Sequence, residues 1–343
     1  MSFIVEDCDF ILKNAPCRWE KLAGAKIFIT GGTGFFGKWF LNSFCHLNKK
    51  LRLDAKMTVL TRAPEKFLRG FPEYAKEAAL SFTEGDVRDA CFGEKYDFLI
   101  HAATPSDGQL DESNPEELYS IIVDGTRNIM KNAEKAGIKR TLYVSSGGVY
   151  GVQPSKLSRI SETYVPSPHN VYGKGKLKSE EICFGGTVSA SSARCFALVG
   201  PYQNLGGRRF AINSFIADAM KGGPIYVKDG RPYRSYLYAA DLMIWLWTIL
   251  LEGRDKETYN VGSSEAISIA DLACMVAGCF TPEPCIINDT AQNIGSCAPA
   301  PRYVPDVTKA SRELGLEQLI ALPEAVKRAV GWHKATCRDI LPA

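Results

Sequence analysis

Near the start of the chain an apolar run, Lys26-Ile27-Phe28-Ile29-Thr30, breaks directly into Gly31-Gly32-Thr33-Gly34-Phe35-Phe36-Gly37, and a helical pattern from Lys38 to about Leu47 follows. No other feature restricts the fold so tightly. A strand that turns through glycines into a helix leaves backbone amides free at the helix N-terminus, where an anionic group can settle. Further apolar runs recur at residues 56–60, 79–82, 98–102 and 141–145, mostly separated by helical patterns. The clearest of these, residues 115–136, opens on Pro115 and stops at Gly137, residues suited to a first helical turn and a C-cap. Apolar strands alternating with helices predict an α/β fold, a parallel sheet covered on both faces.

The 343 residues suffice for one large α/β domain with a smaller lobe. The formal charge of +3, with Lys and Arg scattered, argues against a nucleic-acid partner. The eleven cysteines are irregularly spaced and form no C-x-x-C. Cys274 and Cys279, at i and i+5, would project from different helix faces. No metal site is expected, and reduced thiols fit a cytoplasmic protein. His46, His101, His169 and His333 form no metal pattern either. Residues 1–23 read as an amphipathic extension, with acids where a signal peptide would be basic or apolar. The longest apolar run, residues 242–251, is too short to cross a bilayer; with Trp245 and Trp247 it predicts a buried helix, and no membrane partner is expected. Beyond residue 200 glycine and proline become frequent, and Tyr259-Asn260-Val261-Gly262 reads as a strand end rejoining the sheet. The boundaries that follow are residues 1–23 as extension, 24–200 with 237–262 as the dinucleotide domain, and 201–236 with 263–335 as a smaller lobe.

The first turn places Gly31, Gly34 and Gly37 as G-x-x-G-x-x-G around Thr33, Phe35 and Phe36. In a strand–turn–helix setting this spacing predicts a dinucleotide pyrophosphate site. The second strand ends Leu60-Thr61-Arg62-Ala63. It lacks the acid that would hold the ribose hydroxyls of NAD. Arg62 leans toward the 2′-phosphate of NADP, a solvated loop arginine being nearly as good an account. NAD and NADP therefore both stay open. After the third strand, Asp86 and Val87 are placed to meet the adenine, the alternative for Asp86 being an ordinary turn aspartate.

Tyr172 and Lys176 stand four residues apart, on one face of a helix. An ammonium at Lys176 favours the phenolate of Tyr172, which could then exchange a proton with a hydroxyl or carbonyl as hydride moves. The preceding strand ends in Ser145-Ser146-Gly147-Gly148, and Ser146 could hydrogen-bond the same oxygen. A turn serine and a surface lysine are the plain alternatives.

Together these residues resemble the extended short-chain dehydrogenase/reductases of the nucleotide-sugar epimerase/dehydratase group, from about Lys26 to Gly331. The matching pieces are Gly31/Gly34/Gly37, Gly85-Asp86-Val87, His101-Ala102-Ala103, Ser145-Ser146 with Val149-Tyr150-Gly151, Tyr172/Lys176, Val199-Gly200-Pro201, Arg234 through Tyr238 with Asp241, and Tyr259 through Gly262. The resemblance implies a Rossmann-type doubly wound sheet with a smaller C-terminal substrate-binding lobe. It implies a catalytic triad of Ser146, Tyr172 and Lys176, with Ala102 and Ala103 also at the cofactor. Thr104, Gly147, Gly148 and Asn213 would line the substrate, and Arg234 and Arg302 would grip its diphosphate. A homodimer formed through the Pro115 and Tyr172 helices is the family expectation.

Departures from the family narrow the chemistry. Its 4,6-dehydratases carry an Asp-Glu pair just after the catalytic hydroxyl residue, and decarboxylating members usually keep a Glu there; here the positions are Gly147 and Gly148. That favours C4 epimerisation or 4-keto reduction of a nucleotide-diphosphate sugar in polysaccharide-precursor synthesis over dehydration or decarboxylation. A dehydratase drawing on His101, Asp107 or Glu112, and a non-catalytic dinucleotide sensor, are the alternatives. Ile122 and Ala197 replace two asparagines usual in the family, which predicts altered support for Lys176 and an unusual sugar pocket.

Overall fold

The computed structural model describes residues 2–105, 113–206, 210–289 and 300–336. Helix α1 (Ser2–Asn14) precedes β1 (Lys26–Thr30), α2 (Phe35–Leu51), β2 (Lys56–Thr61), α3 (Pro64–Gly70), β3 (Leu80–Glu84), β4 (Phe98–His101), α4 (Pro115–Ala136), β5 (Arg140–Ser146), α5 (Val171–Gly185) and β6 (Ser189–Cys195). Beyond them come β7 (Leu198–Val199), α6 (Ala211–Met220), β8 (Ile225–Val227), β9 (Tyr233–Arg234), β10 (Leu237–Tyr238), α7 (Ala239–Glu252) and β11 (Glu257–Val261). The chain continues through β12 (Ile267–Ser268), α8 (Ile269–Ala277), β13 (Ile286–Asn288), β14 (Arg302–Tyr303), α9 (Thr308–Leu314) and α10 (Leu322–Thr336).

Seven strands form one sheet in the order β3-β2-β1-β4-β5-β6-β11. Every neighbouring pair is parallel. The order reverses between β1 and β4, and a doubly wound sheet opens its ligand crevice at the carboxyl ends of such strands. The pleat divides the core. Ile27 and Ile29 of β1 join the cluster that includes α2 and α7, whereas Phe28 joins Ile121 and Ile129 of α4 on the other face. The predicted Rossmann-type fold is what the structure shows.

Residues 242–251 lie within α7, buried from Ala239 to Leu251. The amphipathic start of the chain is helix α1, whose Ile4, Cys8 and Ile11 are buried in the main core at the i, i+4, i+7 spacing of one helix face. Gly137 takes the left-handed conformation (φ 72°) that closes α4. Among the described residues three small sheets lie outside the main one: β7 with β10, β8 with β13, and β12-β9-β14. The last of these brings Tyr233-Arg234 alongside Arg302-Tyr303.

Candidate active site

The turn after β1 is built for close approach. Gly31 has φ 71°, and a Cβ there would lie 2.5 Å from the carbonyl oxygen of Ala102. A Cβ on Gly37 would fall 2.1 Å from the carbonyl carbon of Gly32, and one on Gly32 would fall 2.5 Å from Val59 Cγ1. Three glycines are thus demanded by packing. Gly34 differs, because its nearest neighbour is 3.5 Å away and the residue is exposed. It is the N-cap of α2, which has neither a side-chain cap nor an acid in its first turn. The amides around Phe35, Phe36 and Gly37 are therefore open to an anion. Phe35 and Phe36 flank this end as half-buried rings 5.5 Å apart. The turn, with Thr33 at its tip, fits a dinucleotide pyrophosphate.

Beneath it lies a buried relay centred on His101, the residue weighed for the alternative dehydratase reading. His101 is 1% exposed. Its Nδ1 is 2.6 Å from Thr30 Oγ1 and its Nε2 2.9 Å from Thr126 Oγ1. Burial, with the nearby Lys176 charge, lowers its pKa to about 3. A neutral imidazole with both nitrogens engaged braces β1, β4 and α4; it does not present an acid to a sugar. Thr30 Oγ1 also accepts from Ala103 N at 3.2 Å, which fixes the Ala102–Ala103 edge. Thr104 follows, half-buried, its hydroxyl on Ala103 O. Asp107 and Glu112 lie outside the described residues.

At the carboxyl end of β2, Thr61 closes the strand and Arg62 is exposed. Arg62 helps hold the Asp86 carboxyl below its ordinary range, after the larger contribution from Arg88. Asp86 caps its own turn, its Oδ1 accepting from Arg88 N at 3.0 Å. Arg88 clasps both its oxygens, Nε at 2.8 Å and Nη2 at 3.0 Å, and reaches Glu117 at 2.9 Å. Val87 is buried beneath α4, where a Cβ on Gly125 would meet its Cγ2 at 2.6 Å.

The three catalytic candidates converge at the end of β5. Ser146 caps the following turn, its Oγ accepting from Gly148 N at 3.0 Å. Helix α5 is capped by Asn170, which accepts from Gly173 N at 2.9 Å. The glycines between Tyr172 and Lys176 let this helix press inward. A Cβ on Gly173 would lie 2.7 Å from Gly148 O, and one on Gly175 would touch Ile122 at 3.1 Å. Gly148 bridges the group, since a Cβ there would sit 3.3 Å from Ser146 Oγ and 3.6 Å from the Tyr172 ring. Lys176 is 3% exposed. Its Nζ lies 5.9 Å from the Tyr172 ring centroid and donates to Val144 O at 2.7 Å. Burial lowers its pKa to about 8. That carbonyl supports the lysine where Ile122 replaces the usual asparagine.

Sequence reading missed the Glu180–Arg194 ion pair (2.6 Å, both residues buried), one helical turn beyond Lys176. It also passed over Tyr303, whose hydroxyl stands 2.5 Å from where a Cβ on Gly147 would be. Asn213, on α6, is 3% exposed with its Oδ1 unpartnered among the described residues. Arg234 and Arg302 are half-buried. The register of β9 and β14 sets Tyr303 beside Arg234 and Arg302 beside Tyr233, so the two arginines project from alternate faces. The Arg302 guanidinium lies 4.3 Å from the Tyr233 ring centroid.

A parallel doubly wound sheet, a glycine turn at its switch point and a Ser-Tyr-Lys group at the adjoining strand end define an extended short-chain dehydrogenase/reductase. More particularly, residues 27–262 match the NAD dependent epimerase/dehydratase family, and the chain belongs to it. UDP-glucuronic acid decarboxylase 5 of Arabidopsis thaliana is 28% identical over 328 residues, 91% of each chain. A putative UDP-glucose 4-epimerase of Methanocaldococcus jannaschii is 27% identical over 90% of this chain and 98% of its own. Among solved structures, the dTDP-glucose 4,6-dehydratase DesIV of Streptomyces venezuelae, with NAD and TYD bound, superposes with a TM-score of 0.75 at 23% identity, covering 91% of this chain and 97% of that one. The family uses a nicotinamide dinucleotide and acts on nucleotide sugars, through epimerisation, dehydration and decarboxylation alike.

Proposed function

We propose that this chain moves a hydride to or from C4 of a nucleotide-diphosphate sugar, as a 4-epimerase or a 4-ketoreductase. The observation that carries this reading is the surroundings of Ser146. Ser146, Tyr172 and Lys176 are together at the strand end, yet the two residues after Ser146 are glycines and a phenol, Tyr303, fills the place of a side chain at 147. Dehydration needs an acid for the leaving hydroxyl and a base beside the ketone. No carboxylate follows Ser146 to provide either. Oxidation or reduction at C4 needs only one proton exchange, and Tyr172 can perform it.

Lys176 holds its charge beside the phenolate, so Tyr172 can take the O4 proton as the carbonyl forms and return it as the carbonyl is reduced. Ser146 donates a hydrogen bond to the same oxygen. A bound nicotinamide supplies or accepts the hydride. Gly34 and the start of α2 receive the pyrophosphate of the dinucleotide, and the exposed Arg62 favours NADP. Asn213 meets the nucleotide half of the substrate and Arg234 its diphosphate. A homodimer through the faces of α4 and α5 accompanies this reading.

Decarboxylase and dehydratase relatives supply the second reading, and the same experiment separates the two. Purified protein is denatured and its released dinucleotide identified by mass spectrometry; native protein is then incubated with UDP-glucose, dTDP-glucose and UDP-glucuronic acid. A stoichiometric bound dinucleotide and interconversion of C4 epimers support the epimerase. An empty site that takes up NADPH and reduces a 4-keto sugar supports the reductase. A 4-keto-6-deoxy product, or release of CO2, overturns both. Turnover that survives Tyr172→Phe would leave the catalytic assignment without support.

A further inference from the structure

The two arginines expected at the diphosphate leave the small sheet on opposite sides. In the register of β9 and β14, Tyr303 is the neighbour of Arg234, and Arg302 is the neighbour of Tyr233. Side chains paired across two strands share a face, and successive residues alternate. The Tyr303 face looks onto the catalytic strand end. Its hydroxyl stands 2.5 Å from where a Cβ on Gly147 would be, and its ring packs on Phe196 with centroids 4.6 Å apart. Burial raises the pKa of that phenol well above the ordinary tyrosine range, so it stays protonated at neutral pH and sets no negative charge beside Arg234. Arg234 is thus on the side of the small sheet that faces Ser146, and Arg302 is on the other.

Arg302 is engaged where it stands. Its guanidinium lies 4.3 Å from the Tyr233 ring centroid, within the range of a cation–π contact. The backbone around Tyr233 is held as well: Tyr233 N donates to Pro301 O at 2.8 Å, and Ile269 N donates to Pro232 O at 2.9 Å. The Tyr233 carbonyl accepts from Arg234 Nη1 at 2.9 Å. One residue therefore meets both arginines, Arg302 on its ring and Arg234 on its carbonyl. The strand that carries Tyr233 and Arg234 is only two residues long, so a contact on the ring bears directly on where the second guanidinium starts.

We propose that Arg302 does not grip the diphosphate but is a positioning residue: stacked on Tyr233, it steadies the strand from which Arg234, the one of the two arginines on the catalytic face, meets that group. The inference rests on the nucleotide-diphosphate reading above. It makes Arg234, of this pair, the arginine by which the chain tells a nucleoside diphosphate from a monophosphate.

The test is calorimetry on the purified protein with UDP, dTDP and GDP and their monophosphates, with ligand-observed NMR for affinities too weak for calorimetry. Arg234→Met should lower the ratio of diphosphate to monophosphate affinity about tenfold or more, the loss expected for charge-assisted bonds to phosphate. Arg302→Met should lower diphosphate affinity only about threefold, the worth of a partly exposed cation–π contact. Tyr233→Leu should do the same, and Tyr233→Phe should match the wild type. Because Arg302 acts through Tyr233 and Arg234, adding Arg302→Met to either Tyr233→Leu or Arg234→Met should cost less than about 1.5-fold more. Melting temperature and bound dinucleotide should match the wild type in each variant, which excludes a folding defect; Tyr233→Leu carries the comparison if Arg302→Met does not fold. An Arg302→Met loss as large as that of Arg234→Met, a loss that persists in the Arg234→Met background, or no loss at all would overturn the proposal. A wild type that binds none of the three diphosphates would instead overturn the nucleotide-diphosphate reading on which it rests.

Discussion

Replacing Lys176 by methionine tests the catalytic group at its most exposed assumption, that a buried ammonium stabilises the Tyr172 phenolate. The Nζ lies 5.9 Å from the Tyr172 ring centroid; at an effective dielectric of about 20 that separation gives an attraction of roughly 3 kcal/mol. Removing it should shift the phenol–phenolate balance by about two pH units, and kcat at neutral pH should fall about a hundredfold. The loss should shrink as the pH rises and the phenolate forms unaided. Wild type should behave in the opposite sense at high pH. Burial lowers the Lys176 pKa to about 8, so the ammonium is present below that pH and is lost above it, and activity should decline through the same range. Methionine matches the stem of lysine, so the fold is kept, and melting temperature checks this. The assay is a pH–rate profile of both proteins on one nucleotide sugar. A methionine variant whose rate is depressed equally at every pH would refute the electrostatic role and reduce Lys176 to a packing or ribose contact.

Gly34→Ala and Gly37→Ala should separate, since only the second clashes with backbone: the first keeps its melting temperature but loses dinucleotide affinity about tenfold or more in a fluorescence titration, and the second fails to fold. Glu180→Gln leaves Arg194 buried and unpaired, and should cost about 3–5 kcal/mol in denaturant unfolding; a loss under about 1 kcal/mol would show the pair to be dispensable. Asp241 is fully buried, and burial raises its pKa to about 7 from 3.8. Its ionisation therefore costs nothing at pH 4, costs more as pH rises, and reaches about 4 kcal/mol above pH 7, so Asp241→Asn should gain stability over wild type across that window and not below it. Arg62→Ala should weaken NADP binding more than NAD binding in calorimetry; equal losses would remove the argument for NADP.

Most of the strands that reading the sequence located are made of apolar residues. β1, β2, β4 and β5 announce themselves because both faces of a parallel sheet are buried and their runs are continuously hydrophobic. β6 does not. Its residues are Ser189 through Cys195, small or polar apart from the cysteine, yet all but the first are buried. Its burial is made tolerable by partners elsewhere in the chain: Ser191 Oγ donates to Arg254 O at 2.8 Å, and Ser192 Oγ and Arg194 both reach Glu180. Such a strand is visible only once the sheet around it exists. Helix α1 was legible as an amphipathic segment, but its Asp7, bound to Tyr238 and Arg328, ties it to residues more than two hundred positions away.

The candidate site divides along the same line. Gly31, Gly34 and Gly37, and Tyr172 with Lys176, were legible because each lies within a few residues of a partner that shares its task, and Ser146 because it closes an apolar strand. His101 entered only as an acid for the alternative dehydratase reading, because nothing local shows that Thr30 and Thr126 hold both its nitrogens. Tyr303 was passed over because its place beside Gly147 brings together residues far apart in the chain. The absence of acids at 147 and 148 looked, in sequence, like a simple loss. In the fold it is an exchange: the space where a carboxylic acid could stand holds a phenol from a distant strand, protonated at neutral pH and unable to serve as a base. Among the described residues, the positions that follow Ser146 meet a phenol and no carboxylate, and that is the ground on which a single proton exchange with a sugar oxygen is proposed over elimination.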